Sequence, residues 1–207
     1  MWTVAPHPSL DLQSLGVTWP RPIGEIPSPP WLDGWCGLDA PPVEVFGPLP
    51  PIDAVRSLLR HGGFRPSGRS KPCSEYIRAA AAAGRFPRIN PVVDLTNAAA
   101  LHGALPVSTV DRDRLTEPLS VGIAPVGATY VFNASGQEID LGGLLCLSDA
   151  LGPAANAVKD SQRAKTTPET TRTLTVIWGT VELPGRASAL REWMAEAAAR
   201  LGGVIDR

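Results

Sequence analysis

Cysteine is scarce in this chain, and so are long apolar runs and charge of a single sign. Cys36, Cys73 and Cys146 are odd in number and far apart, which excludes a disulfide framework and a zinc site and favours reduced thiols. No stretch of about 18 apolar residues occurs, so no transmembrane helix is expected. The 19 basic and 20 acidic residues give a net charge of -1, which excludes a uniformly basic nucleic-acid surface but allows a local basic patch.

The length and the start of the chain limit its class further. Its 207 residues, 43% of them hydrophobic, suit one domain with an extension or two small domains. Residues 1–10 contain no basic segment followed by an apolar stretch, so no secretory signal is predicted. The expected location is therefore the cytoplasm.

Proline and tryptophan are concentrated near the start of the chain. Residues 1–50 hold 11 of the 22 prolines and four of the six tryptophans. Because proline limits regular structure while tryptophan favours burial, residues 1–45 are predicted to be an extended arm with little regular structure. It would lie across a domain formed by residues 46–207 and bury Trp31 and Trp35. The alternative is a tail that binds a partner through its aromatic side chains.

Hydrophobic periodicity predicts helices first, then strands, then a closing helix. The helices are expected from Pro51 to the Gly62-Gly63 pair, from an N-cap at Ser70 to Gly84, and over residues 91–101 and 187–201. Strands are expected over residues 107–110, 119–123, 129–132, 144–147, 154–158 and 173–181, the last of them central in a sheet. This order is typical of an α+β fold with a mixed β-sheet.

One glycine-rich segment resembles a phosphate-binding loop but lacks its chemistry. Residues 63–70 have Arg69 where that loop needs lysine, and Pro66 removes a backbone amide that would hold phosphate. The segment also follows a predicted helix rather than a strand. The three histidines show no metal-ligand spacing, so neither a metal nor an organic cofactor is expected.

Three cations nevertheless stand in this loop before a predicted helix: Arg65, Arg69 and Lys71. A helix N-terminus attracts anions through its free amides, and neighbouring cations strengthen that attraction. The loop is therefore a candidate site for phosphate or carboxylate. The alternative is a surface loop in which Glu75 caps the helix and pairs with Lys71.

Polar side chains also interrupt apolar segments further along the chain. At helical spacing, Asn90, Asp94 and Asn97 share one face of the predicted helix and must be hydrogen-bonded or used on a ligand. Ser108 lies on the strand that follows. Lys159, Asp160 and Ser161 come after a short buried strand, in a stretch whose alternative interpretation is a solvated loop.

Residues 90–111 resemble the signature of the B3/B4 editing domain of the phenylalanyl-tRNA synthetase beta subunit. That signature is an Asn before a Val-Asp-x-Thr-Asn helix, followed by a Pro-x-His-x-x-Asp strand, and it is matched here by Asn90, Val93-Asp94, Thr96-Asn97, Pro106 and Asp111. The segments Lys71-Pro72-x-x-Glu75 and Lys159-Asp160-Ser161 look like those of free-standing family members. The resemblance covers roughly residues 50–182 and implies a large mixed β-sheet with flanking helices. Ser108 stands at the family's histidine position, and no synthetase catalytic motif is present.

The resemblance implies a trans-acting editing hydrolase that deacylates a mischarged aminoacyl-tRNA. Thr96, Asn97 and Ser108 would then surround the scissile ester. The other proposed substrate-binding residues are Asn90, Lys159, Asp160 and Ser161 at the pocket, with Arg65, Arg69 and Lys71 at the tRNA terminus. The first alternative is a non-catalytic module that binds an amino acid, a small anion, or a tRNA or protein partner. The second is hydrolysis of a small amino-acid ester or amide.

Overall fold

The structure, a computed structural model, describes residues 2–40, 50 and 52–206. The helices are α1 (Pro30–Asp33), α2 (Ile52–Arg60), α3 (Cys73–Ala82), α4 (Pro91–Gly103) and α5 (Arg186–Arg200). The strands are β1 (Thr3–Val4), β2 (Leu10–Thr18), β3 (Val107–Asp111), β4 (Ser120–Ile123), β5 (Thr129–Val131), β6 (Glu138–Asp140), β7 (Leu145–Asp149), β8 (Gly152–Asn156), β9 (Arg172–Thr180) and β10 (Val204–Ile205).

The predicted α+β class is confirmed. In the described residues the strands form a sheet of order β10-β2-β9-β3, a second of order β1-β4-β7-β8, and the β5-β6 hairpin. The first sheet is antiparallel throughout, whereas β1 runs parallel to β4 in the second. None of the helices in the described part of the chain has the length and apolarity needed to cross a membrane.

Strand β9 is central in the first sheet, as its run of β-branched residues predicts. It pairs with β2 on one side and with β3 on the other. Ile177 contributes to an apolar cluster with helices α4 and α5, whereas Val176 and Trp178 contribute to a cluster shared with the second sheet. The strand is therefore buried on both faces.

The N-terminal segment is more regular than its proline content predicts. Residues 10–18 form β2, which pairs with β9 over its whole length, so the expectation of little regular structure is wrong there. Trp31 and Trp35 are partly buried: the Trp31 ring lies under Arg200, and the Trp35 ring packs against Trp193 with centroids 5.4 Å apart. The expected domain boundary between residues 45 and 46 lies outside the described residues.

The first predicted helices are present, with one corrected start. The helix expected from Pro51 is α2, although Pro51 itself lies outside the described residues. Ser70 is not the N-cap of α3: it ends a 3-10 turn (Gly68–Ser70), and Pro72 holds the cap position without a side-chain bond. The proline keeps Lys71 extended, which separates the turn from the helix.

Helix α4 begins where its sequence predicts, because Asn90 caps it. The Asn90 Oδ1 atom accepts hydrogen bonds from the backbone N–H groups of Val92 and Val93, at 3.1 and 3.0 Å. We expect Asn90→Ala to lower the free energy of unfolding by about 1 kcal/mol, since two N–H groups lose their acceptor. Urea unfolding would measure this, with Asn90→Ser as a control that retains a capping oxygen. Equal losses in both variants would contradict the capping role.

Candidate functional site

Two adjoining cavities meet beside the edge strand β3. The first, called here the polar cavity, has a volume of about 510 Å³ and lies between α4, β3 and the 165–168 segment. The second, the cationic cavity, has a volume of about 590 Å³ and lies between the 68–71 loop and the hairpin. Cys73, Asp160 and Lys165 line both. Volumes of this size are usual for small-molecule sites.

The loop that presents Asp160 is shaped by the buried side chain of Asn156. Its Oδ1 atom accepts hydrogen bonds from the backbone N–H groups of Val158 and Lys159, at 2.8 and 3.0 Å. Its Nδ2 atom donates to the Tyr130 hydroxyl, which in turn donates to the Lys159 carbonyl oxygen. These bonds turn the chain after β8, so that residues 159 and 160 face the cavities.

Asp160 is the carboxylate at the junction of the two cavities. Burial of the carboxyl group raises its pKa to about 6, against the opposing effects of the nearby Ser108 hydroxyl group, the Asn156 N–H and the charge of Lys165. The Asn156 N–H lies 3.2 Å from Oδ1. A carboxyl group with this pKa exchanges protons near neutral pH, as a general base must.

Lys165 lies beside Asp160 and is held by the hairpin side of the site. Its Nζ atom donates a hydrogen bond to the Phe132 carbonyl oxygen. Burial lowers its pKa, while the nearby Asp160 carboxylate acts in the opposite direction. The pair therefore places one positive and one negative charge at the same junction.

The cationic cavity combines positive charge with aromatic surface. Arg69, Lys71 and Lys159 line it together with Tyr76 and Phe132. The Lys159 ammonium lies 4.1 Å from the centroid of the Phe132 ring, a cation–π contact. Arg65 lies further out, in a wider cleft that Arg69 and Lys159 also line. The three loop cations and Lys159 thus follow one continuous groove.

The polar face predicted for α4 is used partly for structure and partly for the site. Asp94 is buried and binds Arg88 Nε at 2.7 Å and the Ile89 N–H at 2.8 Å. Asn97 Nδ2 donates to the Pro87 carbonyl oxygen at 3.2 Å. Asn90, Thr96 and Asn97 also line the polar cavity, with Asp160. The structure therefore brings these four predicted site residues together.

Ser108 and Ser161 lie outside both cavities. Ser108 is 1% exposed; its Oγ atom accepts from Trp178 Nε1 at 3.0 Å and lies 3.0 Å from the Asn156 carbonyl oxygen. The Ser108 hydroxyl group also lies close enough to Asp160 to lower the pKa of that carboxyl group, so it supports the carboxyl group from behind. Ser161 is 2% exposed. The expected convergence of Asn97, Ser108 and Lys159 on one cavity is not observed, since Asn97 lines the polar cavity and Lys159 the cationic one.

The lining residues that sequence reasoning missed include Thr109, Lys165, Tyr76 and Phe132. Side chains alternate along a strand, so Thr109 faces the polar cavity while Ser108 faces the other way. That alternation was a usable signal for Thr109. Lys165 bridges to Val110 outside the named strands, a contact that no local pattern indicates.

Thiol chemistry does not explain this site. Burial raises the pKa of Cys73 to about 12, which keeps the thiol protonated and weakly nucleophilic. Within the described residues, no group of three or more His, Cys, Asp or Glu side chains is arranged to hold a metal ion.

No family model matches the sequence, and no curated protein is similar to it. Among solved structures, the chain is similar to an N-terminal fragment of the phenylalanyl-tRNA synthetase beta subunit from Pyrococcus horikoshii. The TM-score is 0.48 and the sequence identity is 15%, over 60% of this chain and 42% of that one. The chain thus spans less than half of that fragment.

Proposed function

We propose that the chain hydrolyses the ester bond of a mischarged aminoacyl-tRNA in trans, as an editing deacylase. The observation that carries this proposal is the position of Asp160, whose raised pKa of about 6 suits a general base, where the polar cavity meets the cationic one. An aminoacyl-tRNA terminus has the same division: an amino acid with a polar amino group, an ester, and then a nucleotide with phosphates. The polar cavity would hold the amino acid and the cationic cavity the terminal nucleotide.

In this mechanism the ionised Asp160 takes a proton from a water molecule. The water oxygen forms a bond to the ester carbonyl carbon, and Lys165 offsets the negative charge that develops on the carbonyl oxygen. The bond from that carbon to the ribose oxygen then breaks, and the ribose oxygen receives the proton back from Asp160. The products are a free amino acid and an uncharged tRNA.

The groove beyond Asp160 fits the end of a tRNA in charge and in surface. Arg69, Lys71 and Lys159 would pair with phosphates, and the aromatic rings of Tyr76 and Phe132 offer stacking surfaces for a base. Tyr76 is 61% exposed, so its ring is open to such a partner. The fit is to a single-stranded end, because the groove is local and the net charge of the chain is -1.

The resemblance of residues 90–111 to the B3/B4 signature also supports the proposal, with one change in the chemistry. The serine at the family's histidine position is buried between Trp178 and the Asn156 carbonyl oxygen. We therefore assign the base to Asp160 and give Ser108 the part of holding the Asn156 backbone, from which the loop that carries Asp160 begins.

The alternative is a module of the same fold that binds an amino acid, a small anion, or a tRNA or protein partner without catalysis. The burial of Ser108 favours it, because this position then supplies no reacting group. A panel of mischarged tRNAs, with release of amino acid and tRNA binding both measured, separates the two. Release above the buffer rate supports the deacylase, and binding without release supports the module. If neither tRNA binding nor amino-acid release is detected, both tRNA functions are contradicted.

We expect the double variant Arg69→Ala, Lys71→Ala to bind tRNA more weakly, with a shallower salt dependence. If each cation meets one phosphate, the slope of log K against log salt should fall by about 1.4 for a single-stranded end. Filter binding between low and moderate salt would measure it. Arg21→Ala with Arg85→Ala is the matched control, since both arginines are exposed and line neither cavity. Equal weakening by both double variants would show that the groove is not the tRNA site.

A further inference from the structure

A chain of three hydrogen-bonded threonine hydroxyl groups runs from behind the polar cavity to its wall, and its direction follows from the Thr96 contact. Thr96 Oγ1 donates its only proton to the Val92 carbonyl oxygen, at 3.0 Å. Thr109 Oγ1 lies 2.7 Å from Thr96 Oγ1 and must therefore be the donor in that contact. Since Thr109 has then used its only proton, Thr175, whose Oγ1 atom lies 2.9 Å from Thr109 Oγ1, donates to it. Every proton of the chain is thus already used within the protein.

Toward a ligand in the cavity, these threonine hydroxyl groups can therefore only accept hydrogen bonds. A hydroxyl group has one proton and two lone pairs, so Thr96 and Thr109 each keep one lone pair after these contacts. Both residues line the polar cavity, whereas Thr175 is 3% exposed and lies behind them. Asn97 Nδ2 is bound to the Pro87 carbonyl oxygen, and Asn97 Oδ1 has no partner among the described residues. These three oxygens are called here the acceptor wall.

The charges around the acceptor wall favour a cation over a neutral donor. The Asp160 carboxyl group lines the same cavity. Lys165 is the only cation among the described lining residues, and its Nζ atom is bonded to the Phe132 carbonyl oxygen on the hairpin side. A ligand that satisfies several acceptors beside a carboxylate needs several donor protons, and a positive charge strengthens its hydrogen bonds to them. A primary ammonium group has both, whereas an acylated nitrogen has one N–H and no charge.

We propose that the acceptor wall binds the free α-ammonium group of the substrate and so selects aminoacyl groups with an unmodified amino nitrogen over N-acylated ones. This inference rests on the proposed function for its substrate, but its evidence is the direction of the threonine chain. Thr96 and Thr109 are the specificity-determining residues, whereas Thr175 only donates a hydrogen bond to Thr109 from behind the cavity wall.

Amino-acid amides test the inference without requiring hydrolysis. The probes are the amides of alanine, valine, leucine and phenylalanine, each paired with its N-acetyl form, with binding measured by ligand-observed NMR at neutral pH. We expect at least one free amide to bind, and its N-acetyl form to bind about tenfold more weakly or not at all, as for the loss of a charged hydrogen bond. Equal binding within the pairs, or no binding of any free amide at millimolar concentration, would overturn the inference.

Two isosteric variants locate the effect. Thr109→Val removes an oxygen from the acceptor wall and should weaken the free amide about tenfold. Thr175→Val removes a hydroxyl of the same chain but leaves both cavity-facing oxygens, so binding should be retained. Similar losses in the two variants would assign the threonines a structural role. If the free amides bind selectively but no aminoacyl-tRNA is hydrolysed, only the deacylase proposal fails. If free and N-acetylated aminoacyl-tRNA are hydrolysed equally, only this inference fails.

Discussion

Asp160→Asn is expected to reduce hydrolysis of the susceptible aminoacyl-tRNA by roughly 10²- to 10⁴-fold, the range that general-base catalysis contributes. Asparagine keeps the size of the side chain and an oxygen for the Asn156 N–H, which now lies 3.2 Å from Oδ1. It cannot take a proton from water. Binding of tRNA should be retained, because the cations of the groove are unchanged.

The pH profile provides the readout that a structural role would not produce. Because the base acts when ionised, wild-type hydrolysis should rise as the pH increases through about 6 and level off above that pH. Asp53→Asn, on an exposed carboxyl group of α2, is the matched control and should keep both rate and profile. If Asp160→Asn retained full activity with the same profile, another group would have to be the base.

The same variant should be more stable than the wild type above pH 6. The pKa of Asp160 is raised in the folded protein from 3.8 to about 6, so the folded state holds the proton more tightly across that window. Wild-type stability therefore falls as the pH rises from about 4 to 6. A neutral asparagine avoids that loss of unfolding free energy, which is at most about 3 kcal/mol because each pKa unit corresponds to about 1.36 kcal/mol. Urea unfolding at pH 5 and pH 8 would measure the difference.

Arg163→Met is expected to lower the free energy of unfolding by about 3 kcal/mol, because it leaves Asp149 as an unpaired buried charge. Arg163 binds both oxygens of Asp149, at 2.9 and 2.7 Å, and also donates to the carbonyl oxygens of Gly152 and Pro153. The Asp149 side chain is 0% exposed. Chemical denaturation at neutral pH would measure the loss.

Arg172→Met is the matched control, since the Arg172–Asp113 pair has a similar length, 2.8 Å, but both side chains are about half exposed. We expect a loss of about 0–1 kcal/mol there. Burial acts to raise the pKa of Asp149, but the hydrogen bonds from Arg163 and from two backbone N–H groups outweigh it and hold the pKa below 3.8. The stabilisation is therefore present at neutral pH and lost as the pH falls below that value. Equal losses in the two variants would contradict the buried-charge argument.

Local signals were sufficient for helix α4 and strand β9. Asn90 caps the helix within three residues of itself, and the run from residue 173 to 180 is β-branched or aromatic at most positions. Both signals depend on neighbours in sequence, so they predict these elements without knowledge of the fold. The α+β class followed from their order.

Long-range contacts decided what the sequence could not predict. Strand β2 is flanked by prolines, and the alternation of its apolar residues changes phase at Ser14, so its local strand propensity is weak. Its pairing with β9 nevertheless makes it a strand. Ser108 and Thr109 differ by one position, but the pleat of β3 sends one behind the site and the other into it. The raised pKa of Asp160 arises from burial by segments far apart in sequence, which no spacing rule contains.

The pairing of β2 with β9 affects how the chain is made. Trp19, the residue after β2, donates a hydrogen bond to Thr173 of β9 across 154 residues. A ribosome that adds about 5–20 residues per second needs roughly 8 to 30 seconds to cover that distance. During this interval β2 has no partner strand. Its exposed backbone then becomes a target for chaperones or for other nascent chains, and slower translation lengthens that exposure.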